Sequence, residues 1–418
     1  MKWISIAKEA ATLMGGNISA QLIALVAYFV LARIYSPSDF GLFNIFYSYI
    51  EVLVIVSTCK YELSLVVADS EREAAALARF AMRMNAVVSV VLLTVALVLW
   101  LAGLLPSNLP EIGWMVLLIP PMVFFCGTSR IYSFLYNRRH RYADIALSDN
   151  INAAGGAVSK GVLGALGMAP GGLPLGAVIG QAAANINYRL RLRRLTLPAA
   201  TKEEALAAAR RHLNFPLYVA TKDFVNSFSA NMPFLWAAVY FDRAEIGLFG
   251  LAVTFVLQPA RLVCSAFERV FYARGAELVR SRQPLMPMVS RFTAVALSVA
   301  LPVCVAAWFL AGPLFSFGFG SRWQGCGAYV QTLLPWVLFM LTANSLMFVS
   351  NLFSTQRTEF LFHIVQLVLR IGALAAGIAV GDFKLAAWLF SGVSALTCLA
   401  LTAWYLWQVM RYERSLKA

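Results

Sequence analysis

The chain has 418 residues, of which 60% are hydrophobic and only 13% are charged, and its mean hydropathy is +0.72. A soluble domain is about 45–50% apolar and about a quarter charged, so this composition excludes a water-soluble globule and leaves no stretch long enough for an appended soluble catalytic domain. The net charge of +14 reads as Lys- and Arg-rich cytoplasmic loops of a membrane protein, not as a nucleic-acid-binding surface.

Twelve apolar segments follow one another and are predicted to cross a membrane as helices: 10–33, 40–66, 80–103, 113–136, 144–168, 173–190, 215–240, 246–272, 290–311, 330–354, 359–380 and 385–408. A run of about 18 apolar residues suffices for a hydrocarbon core of about 30 Å. The first run, after a basic start at Lys2 and Lys8, reaches about residue 34. That exceeds the core of a signal peptide, and no cleavage site follows, so an uncleaved first helix is expected. Turn chemistry marks the short connections, at Ser36-Pro37-Ser38-Asp39, Pro106-Ser107-Asn108, Pro170-Gly171-Gly172 and Gly381-Asp382. One long polar connection, 191–213, divides the segments six and six. The expected organisation is therefore an all-α polytopic membrane protein with an N-terminal six-helix lobe (1–190), a basic cytoplasmic linker (191–213) and a C-terminal six-helix lobe (214–418).

Orientation follows from the loops. With the N-terminus in the cytoplasm, nearly all loop cations fall inside, among them Arg72, Arg79, Arg138, Arg139, Arg141, Arg210, Arg211, Arg280, Arg282 and Arg357. Only Arg33, Arg243, Arg322 and Lys384 fall outside, so both termini are expected in the cytoplasm. The two halves also share a motif. Tyr35-Ser36-Pro37-Ser38-Asp39-Phe40-Gly41-Leu42-Phe43 aligns with Phe241-Asp242-Arg243-Ala244-Glu245-Ile246-Gly247-Leu248-Phe249 at a shift of 206 residues, and Glu62 meets Glu268 at the same shift. An even number of spans per half gives both halves the same topology, so the repeat axis is expected along the membrane normal.

Candidate functional residues are the ionisable side chains inside the spans, each costing about 2.5–3.5 kcal/mol at a helix centre. Six cations qualify: Lys60, Arg130, Lys160, Lys222, Arg261 and Arg370. Lys60 is near enough to a span end to reach the surface. Lys160, Lys222, Arg261 and Arg370 lie several residues from either end, and with Arg130 they are expected to line a hydrated, net-positive cavity suited to a phosphate or pyrophosphate headgroup. The competing reading pairs them with the intramembrane carboxylates Glu51, Glu62, Asp149, Asp223 and Glu268 as structural struts. Among those acids Glu62, Asp223 and Glu268 are the candidates for ion coupling.

Prolines interrupt several spans (Pro120-Pro121, Pro233, Pro259, Pro302, Pro335), and Gln258-Pro259-Ala260-Arg261 is expected to place a helix break beside a buried cation. Gly161, Gly164 and Gly167 read as a helix-packing stripe, not a nucleotide loop, since no strand precedes them. The six cysteines are scattered and are expected to be small buried hydrophobes. His140, His212 and His363 are isolated. There is no P-loop, no zinc-protease signature and no nucleophile triad, so no catalytic residue, metal or cofactor is expected. Any pumping would run on an H+ or Na+ gradient, a membrane potential or the cargo's own gradient.

Leu31-Ala32-Arg33-Ile34-Tyr35-Ser36-Pro37-Ser38-Asp39-Phe40-Gly41-Leu42-Phe43, followed by Lys60-Tyr61-Glu62, resembles the opening of the polysaccharide-biosynthesis (Wzx-type) flippases of the MOP exporter superfamily, with Lys60 where those read Arg. Tyr136-Asn137-Arg138-Arg139-His140-Arg141-Tyr142 is similar to that family's basic loop, and Asn214-Phe215-Pro216-Leu217-Tyr218 to the Phe-Pro start of its seventh helix; Pro259 through Phe271-Tyr272 also fits. The resemblance implies twelve helices in two lobes around a cavity that opens alternately to each side. It also implies an undecaprenyl-pyrophosphate-linked oligosaccharide as cargo, an O-antigen or exopolysaccharide unit moved from the cytoplasmic to the periplasmic leaflet of a bacterial inner membrane. Membrane lipids and a polysaccharide polymerase or ligase are the partners implied, and nucleic acid is not. Two other readings stay open: a MATE-type multidrug antiporter, disfavoured by surplus cations, and a membrane-embedded polymerase or ligase, disfavoured by the short outside loops. The lipid II flippase family shares the cargo chemistry but typically carries two further helices.

Overall fold

A computed structural model describes residues 2–104, 113–192, 198 and 200–417. The expected turn at Pro106–Asn108 and the central arginines Arg193 and Arg194 lie outside them. The chain forms two compact units, Met1–Asn231 and Met232–Ala418. The first holds α1 (Lys2–Ile34), α2 (Pro37–Thr58), α3 (Tyr61–Val67), α4 (Glu71–Leu101), α5 (Ile119–Arg138), α6 (Tyr142–Ala165), α7 (Gly172–Leu192), α8 (Lys202–Arg211) and most of α9 (Thr221–Leu235). The second holds α10 (Arg243–Arg280), α11 (Met286–Phe319), α12 (Cys326–Ser345), α13 (Phe348–Leu352), α14 (Gln356–Val380) and α15 (Phe383–Lys417).

All twelve predicted segments lie on helix, and no strand occurs among the described residues. Eight helical segments are long and apolar enough to cross a membrane. Helices α6 and α7 are not among them, because they carry Asn150, Asn152, Lys160, Gln181, Asn185 and Asn187.

Those amides tie the first unit together. Asn185 Nδ2 donates to the Phe125 carbonyl (2.9 Å) and Ser129 Oγ (3.0 Å), Gln181 to Ser129 Oγ (2.7 Å), and Asn85 to the Phe124 carbonyl (2.9 Å) and Thr128 Oγ1 (3.2 Å). Where apolar lipid replaces water there is no hydrophobic drive between helices, so such bonds and close packing of small residues carry the association.

Helices α6 and α7 pack backbone to backbone. A Cβ added to Gly180 would lie 2.6 Å from the Gly156 nitrogen, and one on Gly176 would lie 2.6 Å from the Lys160 nitrogen. The expected stripe of Gly161, Gly164 and Gly167 is thus corrected. Gly164 alone of the three is crowded, by Ile34 and Tyr35, whereas Gly161 and Gly167 face open space. Gly167 has φ +78°, past the end of α6; it serves the turn and not the packing.

Two proline expectations also change. Pro120 and Pro121 sit at the first positions of α5 and start the helix instead of breaking it, as a residue without an N–H can. Helix α10 runs unbroken from Arg243 to Arg280 through Pro259.

The connection 191–213 contains α8, whose buried Ala205, Ala208 and Ala209 pack on Ala74, Ala78 and Ala81 of α4. A capping box starts α8: Thr201 Oγ1 accepts from the Glu204 N–H (3.2 Å), and the Glu204 carboxylate accepts from the Thr201 N–H (2.8 Å). That backbone donor, ahead of the Arg72 guanidinium, holds the Glu204 carboxyl below its ordinary range.

The repeated motif has a structural counterpart. Ser36 caps α2, with Oγ accepting from the Asp39 N–H (3.2 Å), and Asp242, 206 residues on, caps α10 by accepting from the Ala244 N–H (2.7 Å). In the second unit α12 is central, packed against α10, α11 and α15, while α14 packs on α15. Gly327 of α12 lies against the Gly312 backbone of α11, and Gly377 of α14 against Ala386 of α15, with no room for a Cβ on Gly327 or Gly377.

The α6–α7 seam predicts a contrast between two glycines. Gly180→Ala should lower stability by about 1–3 kcal/mol through overpacking against backbone. Gly161→Ala, into open space on the same helix pair, should be neutral or stabilising by up to about 1 kcal/mol. Thermal unfolding of both variants in detergent checks the difference.

Candidate functional site

Each candidate is placed by its own unit. In the first, the backbone turns left-handed at Cys59 (φ 44°) and Lys60 (φ 59°), which ends α2 and starts α3. The Lys60 ammonium lies 2.8 Å from the Asp223 carboxylate of α9. These two side chains, one read as an end-of-span cation and the other as an ion-coupling candidate, therefore form a pair. Glu62, the second residue of α3, is 1% exposed, and its Oε2 accepts no hydrogen bond among the described residues. Lys160 is half-buried on α6, with Nζ 4.6 Å from the centre of the Phe43 ring, inside the range of a cation–π contact. Arg130 on α5 is half-buried, within electrostatic range of Tyr47 and Cys126, which also feel Glu51. Glu51 accepts from Asn231 Nδ2 (2.8 Å). Lys222 and Asp149 are half-buried.

In the second unit Arg370 is a buried cation, 2% exposed in the middle of α14. Its guanidinium carbon sits 4.9 Å from the Trp336 ring centre and 4.5 Å from that of Phe390, and Nε donates to Ser394 Oγ (2.9 Å). Trp336 belongs to α12, and Phe390 and Ser394 lie one turn apart on α15, so three helices build this cradle. Planar guanidinium stacks on rings and is more weakly hydrated than ammonium, which lowers the penalty of burying it. Arg261 differs. Because α10 is continuous through Pro259, Arg261 is exposed on the surface of its unit and stands beside no helix break, though it remains within electrostatic range of Arg370. Glu268, two turns further along α10, is half-buried.

The basic loop after α5 is engaged inside the first unit. Arg138 donates to the carbonyls of Leu65 (2.9 Å), Val66 (3.3 Å) and Ala68 (2.8 Å), and its Nε pairs with Glu71 (2.9 Å). It thereby caps the end of α3 with charge where that helix leaves carbonyls unsatisfied. Arg139 also pairs with Glu71, and Arg141 and Arg191 both pair with Asp144. Arg72 meets Glu204 (2.6 Å), and Arg211 and His212 meet Glu73 (3.5 Å each).

His212 and His363 are not isolated, contrary to the sequence reading: His363 Nε2 lies 3.7 Å from Glu359 Oε1, one turn earlier on α14. The spacing of four residues was the available signal. The ring cradle of Arg370 left none in the sequence, since its members come from three segments. The six cysteines are free thiols, three of them buried.

Glycine-seamed helices, amide cross-links and eight helical segments long and apolar enough to cross a membrane define a multi-pass membrane protein. The fold is that of the lipid II flippase MurJ in its inward closed conformation, at 11% identity, a TM-score of 0.74, and coverage of 97% of this chain and 90% of that one. An inward-facing multidrug resistance MATE family transporter of the MOP superfamily matches at 11% identity and TM-score 0.64 over 94% of this chain and 96% of its own. A MOP superfamily transporter from Pyrococcus furiosus matches at 12% identity and TM-score 0.59 over 98% and 96%. Comparison with curated proteins finds no match. The family model described as polysaccharide biosynthesis protein matches residues 30–328, and the chain belongs to that family.

The capping arginine gives a prediction. Arg138→Lys keeps the charge but loses the fork that reaches several acceptors at once. It should cost about 1–3 kcal/mol of stability and loosen α3, read as faster hydrogen exchange at Leu65–Ala68.

Proposed function

We propose that this chain is a flippase. Its cargo would be an undecaprenyl-pyrophosphate-linked oligosaccharide, an O-antigen or exopolysaccharide repeat unit, carried from the cytoplasmic to the periplasmic leaflet of a bacterial inner membrane by alternating access, with both termini in the cytoplasm. The family and the flippase-like fold support movement of a lipid-linked glycan. The observation that carries the reading further is Arg370, an arginine at the centre of a membrane helix, stacked between Trp336 and Phe390. A charge at that depth costs about 2.5–3.5 kcal/mol on insertion scales; meeting an anionic headgroup in transit gives that cost a purpose. Lys160, Arg261, Lys222 and Arg130 would add to the positive field that attracts pyrophosphate. Export of cationic drugs would meet repulsion from the same charges. No bond of the cargo is made or broken in this scheme, so no catalytic residue is assigned. The free energy would come from an ion gradient, the membrane potential or removal of cargo by downstream polymerase or ligase machinery.

Arg370→Gln should cut surface glycan by at least about tenfold, the equivalent of about 1.4 kcal/mol, with Arg370→Lys intermediate. Glycan display in a strain lacking its own flippase is the readout, and a monodisperse gel-filtration peak shows that each variant is folded. Undiminished display in folded Arg370→Gln and Arg261→Gln would overturn the reading.

A further inference from the structure

Three cations at the corner between α4 and α8 take no part in the ion pairs described above. Arg79 and Arg83 lie one turn apart on α4, both exposed, and the exposed Lys202 opens α8. The Arg79 guanidinium donates to the Ala200 carbonyl, two residues ahead of Lys202, so the approach to α8 fixes it in place. That bond uses one of its several N–H donors and leaves the others available. Arg83 and Lys202 make no ion pair among the described residues. The nearby carboxylates are mostly taken, Glu204 by Arg72 and Glu73 by Arg211 and His212. Glu203, exposed in the first turn of α8, is the acid left over.

The face of α4 that carries these arginines turns apolar one turn further along. Val87 and Val90, at helical spacing from Arg79 and Arg83, are 63% and 62% exposed, and Val91 and Val98 continue the face. Helix α4 is long and apolar enough to cross a membrane, and its opposite face is buried through Ala74, Ala78 and Ala81. An exposed apolar face on a crossing helix meets acyl chains. The arginines one turn before it therefore stand at the level of the lipid headgroups.

We propose that this corner binds the headgroup of an acidic glycerophospholipid. Its phosphate oxygens accept from Arg79, Arg83 and Lys202, while an acyl chain lies along Val87, Val90 and Val91. The guanidinium fork matches phosphate geometry, and the ammonium adds a point charge. A zwitterionic lipid carries its own cation and gains less from three positive groups. The consequence is an attachment for the connection between the two units. Helix α8 meets α4 through Ala205, Ala208 and Ala209, small side chains whose burial stabilises little per residue. A lipid held by α4 and α8 together adds a tie at the membrane surface. The site looks outward from its unit toward bulk lipid, so its occupant is a resident lipid and not the cargo.

Full-length protein carrying the photo-probe p-benzoylphenylalanine in place of Val87, in nanodiscs of equal phosphatidylglycerol and phosphatidylcholine, tests the site. Irradiation should give phosphatidylglycerol adducts in about fivefold excess or more, the effect of one basic residue near an anionic headgroup. Adding Arg79→Gln and Arg83→Gln should bring the two adducts to parity. Parity without those changes, or an excess retained in the folded double variant, overturns the proposal. So does replacement of the phosphatidylglycerol adduct by a prenyl phosphate added at equal concentration, which would give the site to the cargo. Hydrogen exchange of the unmodified chain is the second readout. Amides of residues 202–211 should exchange more slowly in phosphatidylglycerol than in phosphatidylcholine nanodiscs, and equal rates overturn the proposal even where the photo-probe variant does not fold. Neither readout involves transport, so the outcome is independent of the flippase reading.

Discussion

A charge inside hydrocarbon is the constraint on which this molecule is organised, and the chain meets it in three different ways. Near the polar end of the first unit, arginines are absorbed in ion pairs and helix caps: Arg138 closes α3 and pairs with Glu71, and Arg141 and Arg191 share Asp144. At depth in the second unit Arg370 is held by two rings and a serine hydroxyl from neighbouring helices. On the same helix the buried Glu359 carboxylate has the His363 imidazole 3.7 Å away, one turn on. The first solution is one of stability, since it joins elements. The second keeps a positive charge deep in a span, and the third sets a buried carboxylate beside an imidazole.

Backbone irregularity is concentrated, not scattered. The left-handed turn at Cys59–Lys60 and the π-helical turn Phe215–Ala220 are clasped by the Lys60–Asp223 ion pair and by contacts of α3 with that π turn. Wide turns of this kind and αL residues inside a helical run carry strain or lost hydrogen bonds that surrounding structure must offset. By contrast, α6 against α7 is a seam with backbones touching at Gly156 and Gly180, which has little freedom to slide. The first unit thus combines a close-packed α6–α7 hairpin with an α2–α3 arm jointed at Cys59–Lys60.

Much of this was legible in the amino-acid sequence, for physical reasons that separate local from distant effects. Apolar run length located the long helices, because crossing hydrocarbon sets a minimum length wherever it occurs, but not α8, a polar helix inside the connection 191–213. Ser36 and Asp242 announced helix starts, since a cap acts within three residues of itself. The readings that failed relied on what a residue does somewhere on average. Pro259 was expected to break a helix, yet α10 passes through it, as membrane helices allow when neighbouring groups take up the freed carbonyl. Gly161 and Gly167 were read as packing residues from spacing alone, while the true seam at Gly156, Gly176 and Gly180 depends on which faces α6 and α7 present to each other. Of the cationic candidates, Arg130, Arg261 and Arg370 fall within helical segments long and apolar enough to cross a membrane, but Lys60–Asp223 and the cradle of Arg370 join residues 20 or more positions apart, and no local pattern encodes those partners.

The repeat shows how two halves with one plan diverge through a single backbone choice. At the aligned starts both units cap a helix with a short oxygen side chain, and Phe43 and Phe249 are both buried. Twenty residues later the first unit turns left-handed at Cys59 and Lys60, while the second continues as α10 through Pro259 to Arg280. An αL residue ends the ladder of i to i−4 hydrogen bonds and re-aims everything that follows. Glu62 is consequently driven to 1% exposure on a new short helix, whereas Glu268, its partner by alignment, stays half-buried on an uninterrupted one. Two carboxylates at one aligned position therefore have different surroundings and different access to water. Alignment alone does not make them equivalent in chemistry, and a role for either has to be argued from its own helix.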